Sequence, residues 1–133
     1  DARIDGVVVQ AAVDVDRGVE TVLGATSSAF GPLLAVGLGG VLVEHLDDVA
    51  FELAPLDRAA GRRMLASIEA TALLDGPRGG PAVDRSAVVD ALVRLAALVE
   101  AVPAIRSLDV NPLLATPAGA IALDLHADLD PER

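Results

Sequence analysis

Asn111 and Asp124 are the residues of this chain best suited to chemistry. Asn111 lies in Leu108-Asp109-Val110-Asn111-Pro112-Leu113 and Asp124 in Ala122-Leu123-Asp124-Leu125. Both segments are apolar and strand-like, and the turn Thr116-Pro117-Ala118-Gly119 separates them. An amide oxygen and a carboxylate therefore come to lie on adjacent strands. Such hard oxygens suit Mg²⁺, which takes a few protein ligands and completes its shell with phosphates and water. The plain alternative is a hairpin whose polar residues face solvent. If Pro117-Ala118 is a two-residue loop, Asn111 falls directly opposite Asp124, on the same face as Asp109 and His126. Thr-Pro-Ala-Gly suits a three-residue loop with a glycine bulge better, which slips the register by one. A further bulge near Pro112 would restore it.

Other chemical signals are weaker. Gly37-Leu38-Gly39-Gly40 could cradle phosphates, although tight packing between strands accounts for it equally well. Arg78, in a Gly-Pro-Arg-Gly loop, could meet a phosphate or a partner, or simply be solvated. Glu44-His45 near Asp47-Asp48 reads better as an exposed acidic turn than as a metal cluster. Neither His45 nor His126 lies in a recognisable phosphohistidine context, and no catalytic nucleophile is assigned.

Composition narrows the function classes. The 133 residues carry a net charge of −10, which argues against gripping a nucleic-acid backbone. Aromatic residues are 2% of the chain, Phe30 and Phe51, so the core must be built from Val, Leu, Ala and Ile. With no cysteine, disulfides and thiolate zinc sites are excluded. No signal sequence is visible, and the cytoplasm is the expected location. All 10 basic residues are arginine, so chemistry that needs a lysine on a phosphate cannot be complete within this chain. The uncharged window from Thr21 to Val43 is long enough to suggest a membrane helix. Its glycines and Pro32 suit short buried strands better, and no membrane span is expected.

These residues need elements to position them. Gly6-Val7-Val8-Val9-Gln10, Val19 to Thr26, Leu33 to Val36, Val41 to Glu44 and Val49 to Leu53 read as strands, with Asp14 to Gly18 a turn and Gly37 to Gly40 a glycine loop. After Pro55 the period becomes helical through Ala60, Met64, Leu65, Ile68 and Ala72, with Asp57 as N-cap. Gly76 to Pro81 is a loop. A second helix starts near Asp84 or Ser86, carries Val88, Leu92, Leu95, Ala96 and Val99 on one face, and ends at Pro103. The hairpin from Ile105 to Asp124 closes a domain of residues 1–127, and 128–133 reads as a polar tail. The class is α+β: a mostly antiparallel sheet with two helices packed on it.

In this order, Gly6-Val7-Val8-Val9-Gln10, Gly18-Val19-Glu20, Leu23-Gly24, Phe30-Gly31-Pro32, Gly37 to Glu44, Asp48-Val49, Leu53 to Leu56, Leu74 to Gly79 and Leu108 to Leu113 resemble the C-terminal half of the ATP-grasp domain of NDP-forming (ADP-forming) acyl-CoA synthetases. The β subunit of succinyl-CoA synthetase is a more distant likeness. The resemblance implies the ATP-grasp C-terminal subdomain fold and a ligase that couples acyl-CoA and nucleoside triphosphate by phosphoryl transfer. It implies that Asn111 and Asp124 hold Mg²⁺ between the phosphates of ATP or GTP. It further implies that Glu20 contacts the nucleotide and that Gln10 lies on a hinge strand beside adenine and ribose, where many relatives carry Glu. Asp109 would join the inner or outer shell of the ion. The partners implied are the N-terminal ATP-grasp half, which usually supplies a phosphate-binding lysine, and CoA-binding domains; a homodimer is compatible. As a fragment or subunit this chain would be inactive alone. The alternative implied is a nucleotide-sensing module in a protein lysine acetyltransferase with a synthetase-like region.

Overall fold

The computed structural model describes residues 6–39, 48–76 and 79–130. The strands are β1 (Val19–Thr26), β2 (Leu33–Leu38), β3 (Val49–Leu53), β4 (Ile105–Thr116), β5 (Gly119–Ala122) and β6 (Leu125–Leu129), and the helices are α1 (Arg58–Ser67) and α2 (Arg85–Ala101). The sheet order is β3-β2-β1-β4, with β5 and β6 end to end along the far side of β4, and every pairing is antiparallel.

Alternation on β1 decides which face is covered. Val19, Thr21, Leu23 and Ala25 are buried while Glu20, Val22 and Gly24 are half-buried. The buried set meets Leu34, Val36 and Leu38 of β2, and Leu108, Val110, Leu113 and Ala115 of β4, in one core with the helices. Both α1 and α2 pack on that face. Helix α2 buries Val88, Leu92, Leu95, Ala96 and Val99, as its spacing requires, together with Val89. Asp84 caps it by accepting from the Ser86 and Ala87 N–H groups. Asp57 caps α1 through the Ala60 N–H at 2.7 Å.

Several expected boundaries move. Gly6 to Gln10 forms no strand; it is irregular, and Val7, Val8 and Val9 are exposed because their backbone finds no ladder among the described residues. Gly37 and Leu38 continue β2 rather than open a loop, paired with Val22 and Thr21. Gly40, the expected strand from Val41 to Glu44, His45, Asp47 and Arg78 lie outside the described residues. Helix α1 stops at Ser67 instead of reaching Ala72, and a 3₁₀ turn follows over Glu69–Asp75. The carboxylate of Asp48, distant in sequence, takes the Glu69 and Ala70 N–H groups, both at 2.8 Å, and restarts the chain there. Asp128 and Leu129, expected in a tail, belong to β6 and pair with Ser107 and Ile105. Among the described residues no helix is long and apolar enough to cross a membrane.

Candidate functional site

The loop between β4 and β5 is the two-residue form: Thr116 pairs with Gly119, leaving Pro117 and Ala118 as the turn. The Thr116 hydroxyl accepts from the Ala118 N–H and donates to the Gly119 carbonyl, and Gly119 takes φ +137°, a conformation open mainly to glycine. That tight turn sets the pairing for the whole hairpin. Leu113 faces Ala122, and Val110 faces Leu125. Between them the Asn111 N–H donates to the Asp124 carbonyl at 3.3 Å, and the Leu123 N–H donates to the Pro112 carbonyl at 2.9 Å. Asn111 is thus opposite Asp124.

The hairpin keeps one register past Pro112, so no bulge is needed there to restore it; the bulge at Asn111 and Pro112 lies on the other side of β4. Thr21 pairs with Leu113 and Leu23 with Val110, so Asn111 and Pro112 together oppose Val22. The Asn111–Pro112 peptide bond is cis. Alternation restarts across the bulge, which lets both Val110 and Leu113 enter the core while Asn111 turns to the face without helices. The buried Thr21 hydroxyl donates to the Leu113 carbonyl at 2.8 Å and fastens the bulge. Sequence reasoning passed over Thr21 because a threonine in a strand is unremarkable until its neighbour bulges.

Glu20 lies on the same uncovered face, paired in register with Leu114. Leu114 is fully buried yet outside the helical core; the backbone at Gly18 lies over it, since a Cβ there would fall 2.8 Å from Leu114 Cδ1. The Gly39 N–H donates to the Glu20 carbonyl at 2.7 Å, and a Cβ on Gly39 would stand 3.1 Å from Glu20 Cβ. Gly39 therefore packs tightly against Glu20. Asp109 is half-buried and sits between Gly24 on β1 and His126 on β6. The structure thus brings Glu20, Asp109, Asn111 and Asp124 onto one face of the sheet. Gln10 is exposed in the irregular segment before the sheet.

The donor chemistry fits a hard cation. Asp124 Oδ1 accepts from the Leu125 N–H at 2.8 Å, which orients the carboxylate. Asn111 and Asp124 are both exposed, so phosphates and water can reach them. Among the described residues no three His, Cys, Asp or Glu side chains are grouped to hold a metal. An ion at this pair would take its other ligands from phosphates and water, the habit of Mg²⁺.

Known proteins resemble this chain in sequence and fold. An ATP-grasp domain family model matches residues 1–129. The chain is 36% identical over 132 residues to acetate–CoA ligase [ADP-forming] I of Archaeoglobus fulgidus, spanning 98% of this chain and 19% of that protein. It is 35% identical to the β subunit of acetate–CoA ligase [ADP-forming] I of Pyrococcus furiosus, spanning 93% of this chain and 53% of that subunit. Among solved structures, the dinucleotide-forming acetyl-coenzyme A synthetase 1 of Ca. Korarchaeum cryptofilum superposes with a TM-score of 0.80 at 38% identity, over 85% of this chain and 54% of that one. That structure holds coenzyme A and Mg-AMPPCP, with its phosphohistidine segment pointing towards the nucleotide binding site. The chain spans about half the length of the Pyrococcus subunit and about a fifth of the Archaeoglobus ligase. This chain belongs to the ATP-grasp domain family.

Proposed function

We propose that this chain is the nucleotide- and Mg²⁺-holding half of the ATP-grasp domain in an NDP-forming acyl-CoA synthetase. The observation that carries the reading is the pairing of Asn111 with Asp124 on the uncovered face of the sheet, in file with Glu20. Its relatives are named as ligases, and one is solved with Mg-AMPPCP, which favours a synthetase over the regulatory reading. The overall reaction converts a carboxylate, CoA and nucleoside triphosphate into acyl-CoA, nucleoside diphosphate and phosphate.

Mg²⁺ at the pair would offset charge that develops on the phosphate oxygens during transfer. The residues of the chain do the positioning. Asn111 and Asp124 would hold the ion, and Glu20 would contact the nucleotide one step further along β1. Gln10 would reach the base and ribose from the segment before the sheet, as a neutral hydrogen-bonding group. The phosphoryl acceptor, a histidine on a segment outside this chain, forms its P–N bond as the γ-phosphorus to bridging-oxygen bond breaks. The nucleoside diphosphate leaves with that electron pair, and the proton on the attacking nitrogen passes to solvent. Because the chain has no lysine, a cationic phosphate ligand of that type must come from the complementary half.

In the complete enzyme, Asp124→Ala is expected to weaken Mg·AMPPCP binding at least tenfold, read by calorimetry, with an unchanged circular-dichroism spectrum. Asn111→Ala is expected to act in the same direction. Undiminished binding in both variants would remove the metal role and, with it, this reading.

A further inference from the structure

Every residue of β6 is exposed. Leu125, Ala127 and Leu129 stand opposite Val110, Leu108 and Ile105 on β4, all buried, so they share the helix-covered face. The helices do not reach that far, and Leu125 is 55% and Leu129 62% exposed. His126 and Asp128 take the other face, opposite Asp109 and Ser107. No described strand pairs with the outer edge of β6. Such an edge offers a row of backbone groups to another chain, and native sheets seldom leave one bare.

The ladder to β4 shows which groups the edge presents. The Asn111 N–H donates to the Asp124 carbonyl, and the Asp130 N–H donates to the Ala104 carbonyl. In an antiparallel strand, alternate residues turn both backbone groups to the same side. The even-numbered residues of β6 therefore bond β4, while Leu125, Ala127 and Leu129 aim N–H and C=O outward. The Leu125 N–H is taken by the Asp124 carboxylate. Leu125-His126-Ala127-Asp128-Leu129 is also chemically symmetric about its centre. Laid antiparallel on itself there, Leu125 meets Leu129, His126 meets Asp128 and Ala127 meets Ala127.

We propose that β6 is an edge-to-edge interface with a second copy of this chain, paired about a two-fold axis at Ala127. Three features select a second copy. The outward groups match themselves: two bonds join the Ala127 residues and two run from Leu129 N–H to the Leu125 carbonyl, so the occupied Leu125 N–H is not needed. His126 faces Asp128 of the second copy at both ends, an arrangement of opposite charges that fixes the register. Centring the axis one residue either way sets His126 against His126, or Asp128 against Asp128. The leucines then meet in pairs on the helix-covered side, where each copy leaves them bare. The axis is normal to the sheet, so the uncovered faces of both copies lie on one side of a continuous sheet. Five residues are a small contact, each chain carries −10, and Asp130 falls beside Asp124 of the second copy, so the association is reversible. It does not depend on the nucleotide site proposed above.

The test uses the complete protein at about 0.15 M salt. Sedimentation equilibrium is expected to show reversible dimerisation. His126→Asp is expected to weaken it at least tenfold, and adding Asp128→His to that variant is expected to restore it to within threefold of the parent, with circular-dichroism spectra unchanged. Ala127→Cys reports the register. Opposed Cα atoms in a hydrogen-bonded pair stand about 5.5 Å apart, within disulfide reach, so mild oxidation is expected to join the two copies at this position, identified by peptide mass spectrometry. Leu125→Cys, roughly 14 Å from its own copy in this register, is expected to join at least tenfold more slowly. Absence of self-association overturns the proposal, as does a dimer indifferent to His126→Asp. A double substitution that stays monomeric, or equal cross-linking at positions 125 and 127, removes the register and the proposal with it. So does an Ala127→Cys thiol that resists maleimide in a monomeric protein, which would put other polypeptide on this edge.

Discussion

At the scale of single residues, the positions that matter most are those whose partners are far away in sequence. Thr21 donates to the Leu113 carbonyl beside the bulge, inside the core. Thr21→Val keeps the shape and removes the bond, so it should cost about 1 kcal/mol in chemical denaturation. It should also weaken Mg·AMPPCP binding, because the bulge presents Asn111. Asp48 holds two N–H groups at the start of the 3₁₀ turn, and Asp48→Ala should cost about 1 kcal/mol, as for a lost helix cap. Asp84 gives a pH signature. The Ser86 hydroxyl, and then the Ala87 N–H, favour its charged form and hold its pKa below the ordinary 3.8. A depressed folded-state pKa adds stability that is complete above the ordinary value and is lost as pH falls through the folded one. Asp84→Ala should therefore lower the melting temperature at neutral pH, and the gap from the parent protein should close on acidification below about pH 4. Asp57 was legible as a cap because its helix follows at once. Asp48 and Thr21 were not, since no local pattern announces a partner on another element.

Elements were readable where one face is dry. Strand β1 and the buried stripe of α2 follow from alternation and helical spacing, because burial on a single face leaves that imprint. Reading failed where pairing outranks pattern. Gly6 to Gln10 is β-branched and strand-like, yet it has no ladder among the described residues. Gly37 looks like a loop residue, yet it pairs with Val22 on one side and Val49 on the other. The hairpin was the hardest case, since loop length and bulge both set the register and sequence left two combinations open. The pairing of Thr116 with Gly119 decides between them, and Gly119 holds the turn at a positive φ. Gly119→Val should therefore destabilise the turn by more than 1 kcal/mol and shift the amide resonances of Asn111 and Asp124 in heteronuclear spectra. The candidate site was legible as residue types on paired strands. The face they share became visible only once the bulge was placed.

For the whole molecule, the decisive asymmetry is that helices cover one side of the sheet and the candidate site occupies the other. Substitutions in the core should act on stability first. Leu34→Ala and Leu92→Ala remove fully buried side chains and should each cost roughly 2–5 kcal/mol. Below the melting transition, the surviving folded fraction should bind nucleotide with parental affinity. Both aromatic rings of the chain lie on the surface, Phe30 at 86% and Phe51 at 61% exposure. The interior is therefore spectroscopically silent, since it contains no ring and the chain has no tryptophan or tyrosine at all. A tryptophan carried in by any docking protein would fluoresce against a dark background, so this chain can report association through its partner's light alone.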